Sequence, residues 1–434
     1  MRSATSALHA LSVVLALAAS AVAQAEGGAG KKSQPAAEPP VAAPPAGSAN
    51  GPVRFTTFPV PEADPLDVAA ATRDAVAAML ELQEGPGDDQ WPYEGVYRED
   101  RGQLPVGYRV GGTAIACMGL LAAPGWEQDE ARRAAVAKGV HFVLQTLDHP
   151  RMSHSFLGTY DVRGWGHVYA LQLFLHLVER RVLDGETLAA VEKRIPWLVQ
   201  ALVDSAIPRS GGWNYSLRRG FRNPGNAAST FMTAPALQAL FHARTRGHAV
   251  PDQTVMEALD ALERSRAKPG GYAYGASGHN QNEVEEAQLG MMNRTPSSAA
   301  RATLCEVTLR LAGRGDPVRL ERAVELFFAE WDALAVRKSQ TGTHVEPYGI
   351  APYYFLFGHT ACAQAIEQVT EPARREQLRD RLHRVLARSR DADGTWNDRQ
   401  FPRSAGYGTA MALLALHMKD WPAPVTWQPA TKGD

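Results

Sequence analysis

Histidines near the predicted starts of apolar helices are the residues of this sequence best suited to acid–base chemistry. His167, His344 and His359 occupy such positions, and Glu346 lies close to the second. Histidine is the usual general base near neutral pH. We therefore take His167, His359 and Tyr215 as candidate catalytic residues that could abstract a proton next to a sugar carboxylate. The alternative is that the histidines are hydrogen-bonded structural residues, because they belong to no spaced catalytic motif.

Acidic residues offer a second chemistry, glycoside hydrolysis, which needs two carboxyl groups roughly 5–10 Å apart across a cleft. The candidates are Asp88, Asp89, Glu94, Glu346 and Asp398. Linear sequence does not pair them, so the hydrolase hypothesis stays open. We find neither a histidine–glutamate metal spacing nor a glycine-rich phosphate loop, and we expect no metal and no cofactor.

Arginines recur near the same predicted helix starts. They are Arg109, Arg218, Arg219, Arg222, Arg294 and Arg403. If the helix starts share one mouth, the helix dipoles and the guanidinium groups would favour an anion such as a carboxylate, sulfate or phosphate. The alternative is that these are solvated charges on loops.

Aromatic residues form pairs at equivalent places along the chain, for example Trp91 with Tyr93 and Trp213 with Tyr215. The first ring of a pair could fill its helical hairpin, and the second could face a ligand with its hydroxyl group. The candidate ligand-binding residues are Trp91, Tyr93, Arg109, Trp165, Trp213, Arg218, Arg222, Tyr274, Arg294, His344, Glu346, Tyr353 and Arg403. The ligand is unknown, and an anion or a glycan would fit this set.

The elements that position these residues are predicted to be helices in pairs, repeating every roughly 50–60 residues. The first helix of each pair is amphipathic and charged, and the second is apolar and rich in Ala, Gly and Thr. First helices are predicted to begin near Asp67, Glu130, Glu186, Asp252, Pro317 and Pro372. Second helices are predicted to begin near Thr113, His167, Ala227, Ser297, Tyr353 and Gly408.

This asymmetry predicts an all-α fold, an (α/α)6 toroid of six helical hairpins in two concentric rings. Charged first helices would form the outer ring and face water, and apolar second helices would form the inner ring. The alternative is an open solenoid, which would need polar caps at its ends. The sequence has no evident polar caps and no convincing run of alternating strands.

A glycine followed by an aromatic residue marks several hairpins. The copies are Gly164-Trp165, Gly211-Gly-Trp213, Gly270-Gly-Tyr272 and Gly394-Thr-Trp396. In this respect the sequence resembles the terpenoid cyclase and protein prenyltransferase superfamily, with squalene-cyclase-type repeats. The resemblance implies an α/α toroid over residues 61–421.

The catalytic motifs of those families are incomplete in this sequence. Their cyclase repeat carries glutamine four residues before the glycine, where this chain has Ile207, Arg266 and Arg390. Their Asp-x-Asp-Asp acid motif and Asp-x-Cys zinc motif are not completed either. His359 does lie in a run of residues similar to the one that contains the zinc-binding histidine of the prenyltransferases. We therefore expect a toroid that binds a ligand or partner in its central cavity. The alternative is a carbohydrate-active enzyme, a polysaccharide lyase or glycoside hydrolase, with a His/Tyr/Arg site at the toroid mouth.

The N-terminal segment has the features of a signal peptide. Arg2 precedes an apolar run from Leu11 to Val22, and Ala21-Val-Ala23 fits a cleavage site. The run is short for a transmembrane helix, so we expect export to the periplasm or beyond and no transmembrane segment in the mature chain. An N-terminal anchor is the alternative. The net charge of −1 gives no electrostatic footprint for nucleic acid.

The predicted organisation is a signal peptide at 1–25, a disordered Pro/Ala/Gly-rich linker at 26–60, the toroid at 61–421 and a C-terminal tail at 422–434. Cys117, Cys305 and Cys362 each lie in an apolar helical run. They are expected to be buried thiols, although a single disulfide is also compatible with the sequence.

Overall fold

The computed structural model describes residues 65–95, 97–99, 102–155, 162–215, 223, 225–267, 270–276, 289–340, 342–351, 354–398, 401 and 403–429. The predicted signal peptide and linker, and the candidate residues Arg218, Arg222 and Tyr353, lie outside these residues. The described part contains thirteen α-helices and one short antiparallel pairing of two strands. None of its helices is long and apolar enough to cross a membrane.

The helices follow one another along the chain with short connections. They are α1 (Val68–Glu81), α2 (Val106–Ala122), α3 (Glu130–Thr146), α4 (Arg163–Glu179), α5 (Gly185–Ser205), α6 (Thr230–Thr245), α7 (Asp252–Arg264), α8 (Thr295–Leu311), α9 (Pro317–Ala329), α10 (Trp331–Ala335), α11 (Tyr354–Glu367), α12 (Pro372–Ser389) and α13 (Ser404–Leu416). The strands are β1 (Ala228–Ser229) and β2 (Gly275–Ala276).

The second helix of each pair belongs to a closed inner ring. In order around the ring, α2 packs on α4, α4 on α6, α6 on α8, α8 on α11, α11 on α13, and α13 returns to α2. Nearly every residue of these helices is buried, whereas the first helices keep a charged face in water. The predicted all-α (α/α)6 toroid is confirmed.

Ring closure depends on the contact between α2, from the first hairpin, and α13, from the last. At Gly119 of α2, an added Cβ atom would lie 2.7 Å from the Cα atom of Ala410 in α13. The two backbones are therefore too close for any side chain at this position. An open solenoid would leave these two helices apart.

Several outer helices are capped at their N-terminus by an acidic side chain. The Asp67 carboxylate accepts a hydrogen bond from the backbone N–H of Ala70, and Asp129 accepts one from Arg132. Asp316 and Glu371 cap α9 and α12 in the same way. These caps explain why α1, α3, α9 and α12 begin close to the positions predicted from the sequence.

Helix α2 begins at Val106, well before its predicted start near Thr113. Its glycines are typical of a loop, but here they allow close backbone contacts within the toroid. A Cβ atom at Gly107 would lie 2.3 Å from the Val162 carbonyl oxygen, and one at Gly112 would lie 2.4 Å from the Tyr93 nitrogen. As a consequence, Arg109 lies inside the helix and not in front of it.

All three cysteines are buried and free. Beyond α13 the chain stays packed on the toroid: the backbone N–H of Trp427 donates to the Leu311 carbonyl, and its ring lies 5.4 Å from that of Phe241.

Candidate functional site

Three tryptophans fill helical hairpins in the same way. The indole Nε1–H groups of Trp91, Trp213 and Trp396 donate to carbonyls of the preceding outer helix, at 2.7, 2.8 and 2.9 Å. Their backbone N–H groups donate to threonine hydroxyls of the following inner helix, at 3.0, 3.1 and 3.0 Å. Trp91 and Trp213 therefore tie the two rings together, and their indole N–H groups are taken up by the outer helices.

At one end of the inner ring, the first turns of five inner helices bring aromatic rings together. These rings belong to Tyr108 of α2, Trp165 of α4, Phe231 of α6, Tyr354 of α11 and Tyr407 of α13. Because the first turns meet, these inner helices run in the same direction. With Tyr93, Tyr97, Tyr215 and Tyr274 from the loops, we call this set the aromatic mouth.

Tyr93 lies at the centre of one half of the aromatic mouth. Its ring centroid is 4.7 Å from that of Tyr407, 5.2 Å from Tyr108 and 5.7 Å from Trp165. The edge-on contact with Tyr108 is the arrangement that aromatic quadrupoles favour. Its backbone N–H also donates to the Tyr108 carbonyl at 3.2 Å, so both ring and backbone are fixed.

The other half of the aromatic mouth continues from this centre through successive ring contacts. Tyr97 lies 6.4 Å from Tyr215, and Tyr215 lies 6.4 Å from Phe231. Phe231 is 5.5 Å from Tyr354, which is 5.9 Å from Tyr274. Tyr97 and Tyr274 are the half-exposed members, so they form the entrance.

A buried arginine supports the Tyr274 side of the aromatic mouth. The Arg301 guanidinium lies 5.6 Å from the ring centre of Tyr274 and 5.0 Å from that of Tyr354. It also donates to the carbonyls of Tyr272 and Met292, which precede and follow the nearby loop. Its charge is therefore used to position two tyrosines and their backbone.

Beneath the aromatic mouth lies an axial cavity of about 80 Å³ to which every inner helix contributes. It is lined by Ile115, Met118, Tyr169, Gln172, Pro235, Gln238, Leu304, Phe357, Thr360, Ala361, Gln364, Met411 and Leu414. The Gln238 and Gln364 amides donate to each other at 2.9 and 3.0 Å, and Gln238 also donates to the Thr308 hydroxyl. Amides thus place hydrogen-bonding groups in an otherwise apolar channel.

The spaces at the aromatic mouth are small. A pocket of about 20 Å³ lies between Tyr93, Tyr108, Trp165, Tyr215 and Phe231, whereas ligand pockets usually measure about 300–1,000 Å³. A ligand can reach the axial cavity only if aromatic side chains move aside.

One buried carboxylate borders the aromatic mouth. Asp398 follows the hairpin tryptophan Trp396 and is fully buried. Burial raises the pKa of Tyr407 well above its usual value, and the negative charge of Asp398 contributes in the same direction. Asp398 is one of the five candidate acids for hydrolysis, and the fold places it beside an aromatic ring of this site.

The predicted catalytic histidines face the outer ring, away from the aromatic mouth. Nε2 of His167 is 2.9 Å from the Met152 carbonyl oxygen, and its ring contacts Trp197 of α5. His359 bonds Trp331 and the Phe355 carbonyl. Burial lowers the pKa of His167 to about 3 and that of His359 to about 4. Both rings are enclosed by neighbouring side chains, so the structure does not bring these two histidines to the aromatic mouth.

Of the six predicted arginines, the structure describes three, and these three do not converge. Arg109 donates to the Gln90 side chain and lies over the Phe142 ring, toward the outer helices. Arg403 pairs with Glu84, and exposed Arg294 donates to the Leu289 carbonyl. The structure therefore does not bring these three guanidinium groups together around the mouth.

Of the remaining candidates, Tyr93, Trp165, Tyr215 and Tyr274 belong to the aromatic mouth, and His344 lies at its edge. The His344 ring is 5.3 Å from that of Tyr274, and its Nδ1 is 2.8 Å from the Gly349 carbonyl oxygen. Glu346 is exposed nearby. Sequence reasoning missed Tyr108, Phe231, Tyr354 and Tyr407. Their shared position in the first turn of an inner helix was the available signal.

Comparison with known proteins agrees with this architecture. No protein-family model and no curated protein matches the sequence. The fold is similar to the Lin0763 protein from Listeria innocua, at 14% identity and a TM-score of 0.50, over 82% of this chain and 98% of that chain. A D-mannose isomerase matches with 12% identity and a TM-score of 0.52, over 82% and 97%.

A type II terpene cyclase from Scytonema is also among the similar structures, with 14% identity, a TM-score of 0.46 and coverage of 81% and 96%. Identities this low describe the fold alone. The chain has the fold of an α/α toroid.

Proposed function

We propose that this chain is an exported α/α-toroid protein that binds a neutral glycan in its central cavity, through the aromatic mouth. The observation that carries the proposal is the continuous set of aromatic rings around Tyr93, lying above a cavity to which every inner helix contributes. Ligand sites are usually lined by apolar and aromatic side chains with a few polar groups, and this centre has that composition.

The chemistry of the lining favours a sugar. Aromatic rings stack on the C–H faces of pyranose rings, and tyrosine also offers a hydroxyl group. Below them, the amides of Gln172, Gln238 and Gln364 can exchange their present hydrogen bonds for bonds to sugar hydroxyls. The arginines Arg109, Arg294 and Arg403 bind elsewhere, which favours a neutral glycan over an anionic one.

Binding must include a rearrangement, because the aromatic mouth is closed over a small cavity. Tyr97 and Tyr274 are its half-exposed members and would contact the glycan first. Rotation of these rings would then admit one sugar ring toward Trp165 and the amides.

Catalysis on the glycan is a second candidate function, supported by the buried carboxylate of Asp398 beside Tyr407. A buried carboxyl group next to a stacked sugar could act as a general acid. The cyclase and zinc-prenyltransferase catalytic sets are incomplete in the sequence, and binding without turnover remains the primary proposal.

The experiment is calorimetric titration of the full chain with neutral mannose- and glucose-based oligosaccharides, in parallel with uronic-acid oligosaccharides and farnesol. We expect binding of a neutral oligosaccharide that weakens about tenfold in Trp165→Phe, since the larger indole stacks more strongly. Trp427→Phe, at the other end of the toroid, is the matched control and should bind as wild type does. Binding of farnesol alone, or equal binding by both variants, would contradict the proposal.

Turnover and export are tested separately. Product analysis after long incubation of the bound oligosaccharide compares wild type with Asp398→Asn, and cleavage lost in that variant would establish the second candidate. Export is supported by Arg2 and the apolar run that follows it. Cell fractionation of the full chain, with and without residues 1–25, should find the protein outside the cytoplasm only when the segment is present.

A further inference from the structure

At the end of the toroid opposite the aromatic mouth, two histidines and a glutamate converge. His176 and Glu179 lie in the last turn of α4, and His242 lies in the last turn of α6. One ligand atom from each of the three residues lies within 4.8 Å of the others. We propose that His176, Glu179 and His242 form a binding site for a divalent transition-metal ion of the zinc type.

The spacing of the donor atoms fits such an ion. The Glu179 Oε2 atom is 3.5 Å from His176 Nδ1 and 3.5 Å from His242 Nε2. A tetrahedral ion with bonds of about 2.0–2.2 Å places its ligand atoms about 3.3–3.6 Å apart. Both carboxylate–imidazole distances therefore suit a shared metal, whereas they are long for direct hydrogen bonds.

The two imidazole nitrogens are also available as ligands. His176 Nδ1 and His242 Nε2 are buried, and neither makes a hydrogen bond to the described residues. The His242 side chain is 10% exposed. Buried polar atoms are normally hydrogen-bonded, so two such nitrogens aimed at one carboxylate indicate a missing shared partner.

The surrounding fold closes the site on one side and leaves it open on another. The Trp421 ring packs 4.7 Å from that of His176, and the Arg180 guanidinium lies over Trp421 at 5.1 Å. A cavity of about 50 Å³ adjoins both histidines and also touches Gln238 and Gln364 of the axial cavity. A water molecule from this cavity could complete a tetrahedral site as the fourth ligand.

Electrostatics around the site both favour and oppose a cation. The C-terminal ends of α4 and α6 point at the site, and their dipoles favour positive charge. Arg246 opposes it, because its guanidinium acts on both Glu179 and His242. Imidazole ligands favour zinc, cobalt, nickel or copper over magnesium or calcium.

The experiment begins with the full chain, stripped with EDTA and titrated with Zn²⁺ by calorimetry. Metal content after dialysis and Co²⁺ absorption provide independent readouts. We expect a single Zn²⁺ per chain and the intense visible bands of tetrahedral Co²⁺. Glu179→Gln and His242→Ala should each weaken binding by about 100-fold or more, since losing even a second-shell partner costs about 10–100-fold.

Two further variants sharpen the test. Arg246→Gln removes the opposing charge and should tighten Zn²⁺ binding several-fold. His141→Ala, an exposed histidine of α3, is the control and should bind as wild type does. If His242→Ala fails to fold, Glu179→Gln decides the result, because it keeps the shape of a partly exposed side chain.

The proposal is overturned if wild type binds no Zn²⁺, or if Glu179→Gln binds Zn²⁺ as tightly as wild type. Because the site lies at the opposite end from the aromatic mouth, glycan binding by Glu179→Gln should equal that of wild type. The metal proposal and the proposed function can therefore fail independently.

Discussion

The indole Nε1–H of Trp331 donates a 2.8 Å hydrogen bond to Nε2 of His359. Because indole can only donate, Nε2 must accept, and the proton of the neutral ring resides on Nδ1 and is donated to the Phe355 carbonyl. His359 therefore joins α11 to α10 as a neutral residue, and a second proton would break the bond to Trp331.

Protonation of His359 should destabilise the fold in mild acid. Burial lowers its pKa from 6.5 to about 4, so the unfolded chain binds the proton first as pH falls. The stabilisation is complete above about pH 6.5 and is lost between there and pH 4. At pH 5 this one group should lower the free energy of unfolding by about 2 kcal/mol relative to pH 7.5.

Urea unfolding at pH 7.5 and pH 5 measures this effect. In His359→Gln, which keeps an acceptor for Trp331 but does not titrate, the loss of stability between the two pH values should shrink by about 2 kcal/mol. His141→Gln, at an exposed position, should leave the loss unchanged. An acid sensitivity identical in wild type and His359→Gln would refute the assignment.

Threonine hydroxyls of the inner helices should carry part of the stability of the hairpins. Thr113→Val, Thr233→Val and Thr409→Val each remove the hydroxyl group that accepts a hydrogen bond from the backbone N–H of a buried tryptophan. An unpaired buried donor costs about 1–3 kcal/mol, and distant sites should add. The free energy of unfolding in urea, measured for each single variant and for the triple variant, tests both statements.

The matched control for these substitutions is Thr303→Val in α8. Thr303 is fully buried and its hydroxyl has no hydrogen-bond partner among the described residues. Replacing an unpaired hydroxyl with a methyl group should leave stability unchanged or increase it. A loss at Thr303 as large as at Thr113 would mean that valine, and not the lost hydrogen bond, causes the effect.

Gly119→Ala should destabilise the toroid at its closure. Alanine normally favours a helix interior by about 1 kcal/mol over glycine. Here the added methyl group meets the Ala410 backbone at 2.7 Å, and overpacking of this kind costs about 1–3 kcal/mol. The melting temperature should therefore fall.

Gly164→Ala is the helical control, because its nearest atom is the flexible Met232 Cε at 3.6 Å. This variant should be as stable as wild type or slightly more stable. If both variants behaved alike, α2 and α13 would not be in close contact and the ring would be open.

The three cysteines should be unreactive in the native protein. Each is fully buried, and burial raises the pKa of all three thiols above the usual value. Because the thiolate is the reactive form, a thiol reagent should label none of them at neutral pH and all three in denaturant. Fewer than three labelled thiols after unfolding would reveal a disulfide.

The sequence alone determined the architecture, because the contrast between charged and apolar helices is a property of local spacing. Helix pairs and closure into a toroid follow from periodicity and residue type. The recurrence of Trp91 and Trp213 before equivalent helices allows a hairpin-filling role from the sequence, but it does not exclude ligand binding. The early start of α2 does not follow from the sequence. Its glycines are needed because backbone segments far away in the sequence pack closely against the helix, and linear sequence does not show these contacts.

Only the tertiary structure decided which residues share a site. His167 lies in the same helix as Trp165, and His359 lies in the same helix as Tyr354. Each histidine is a few positions further along, so it lies on a different face of the helix and points toward the outer ring. His176-Leu-Val-Glu179 is a spacing the sequence reading overlooked, and its third member, His242, belongs to another hairpin. Whether these side chains meet depends on how the helices pack around the closed ring. This packing sets the direction of each side chain, and the sequence alone does not give it.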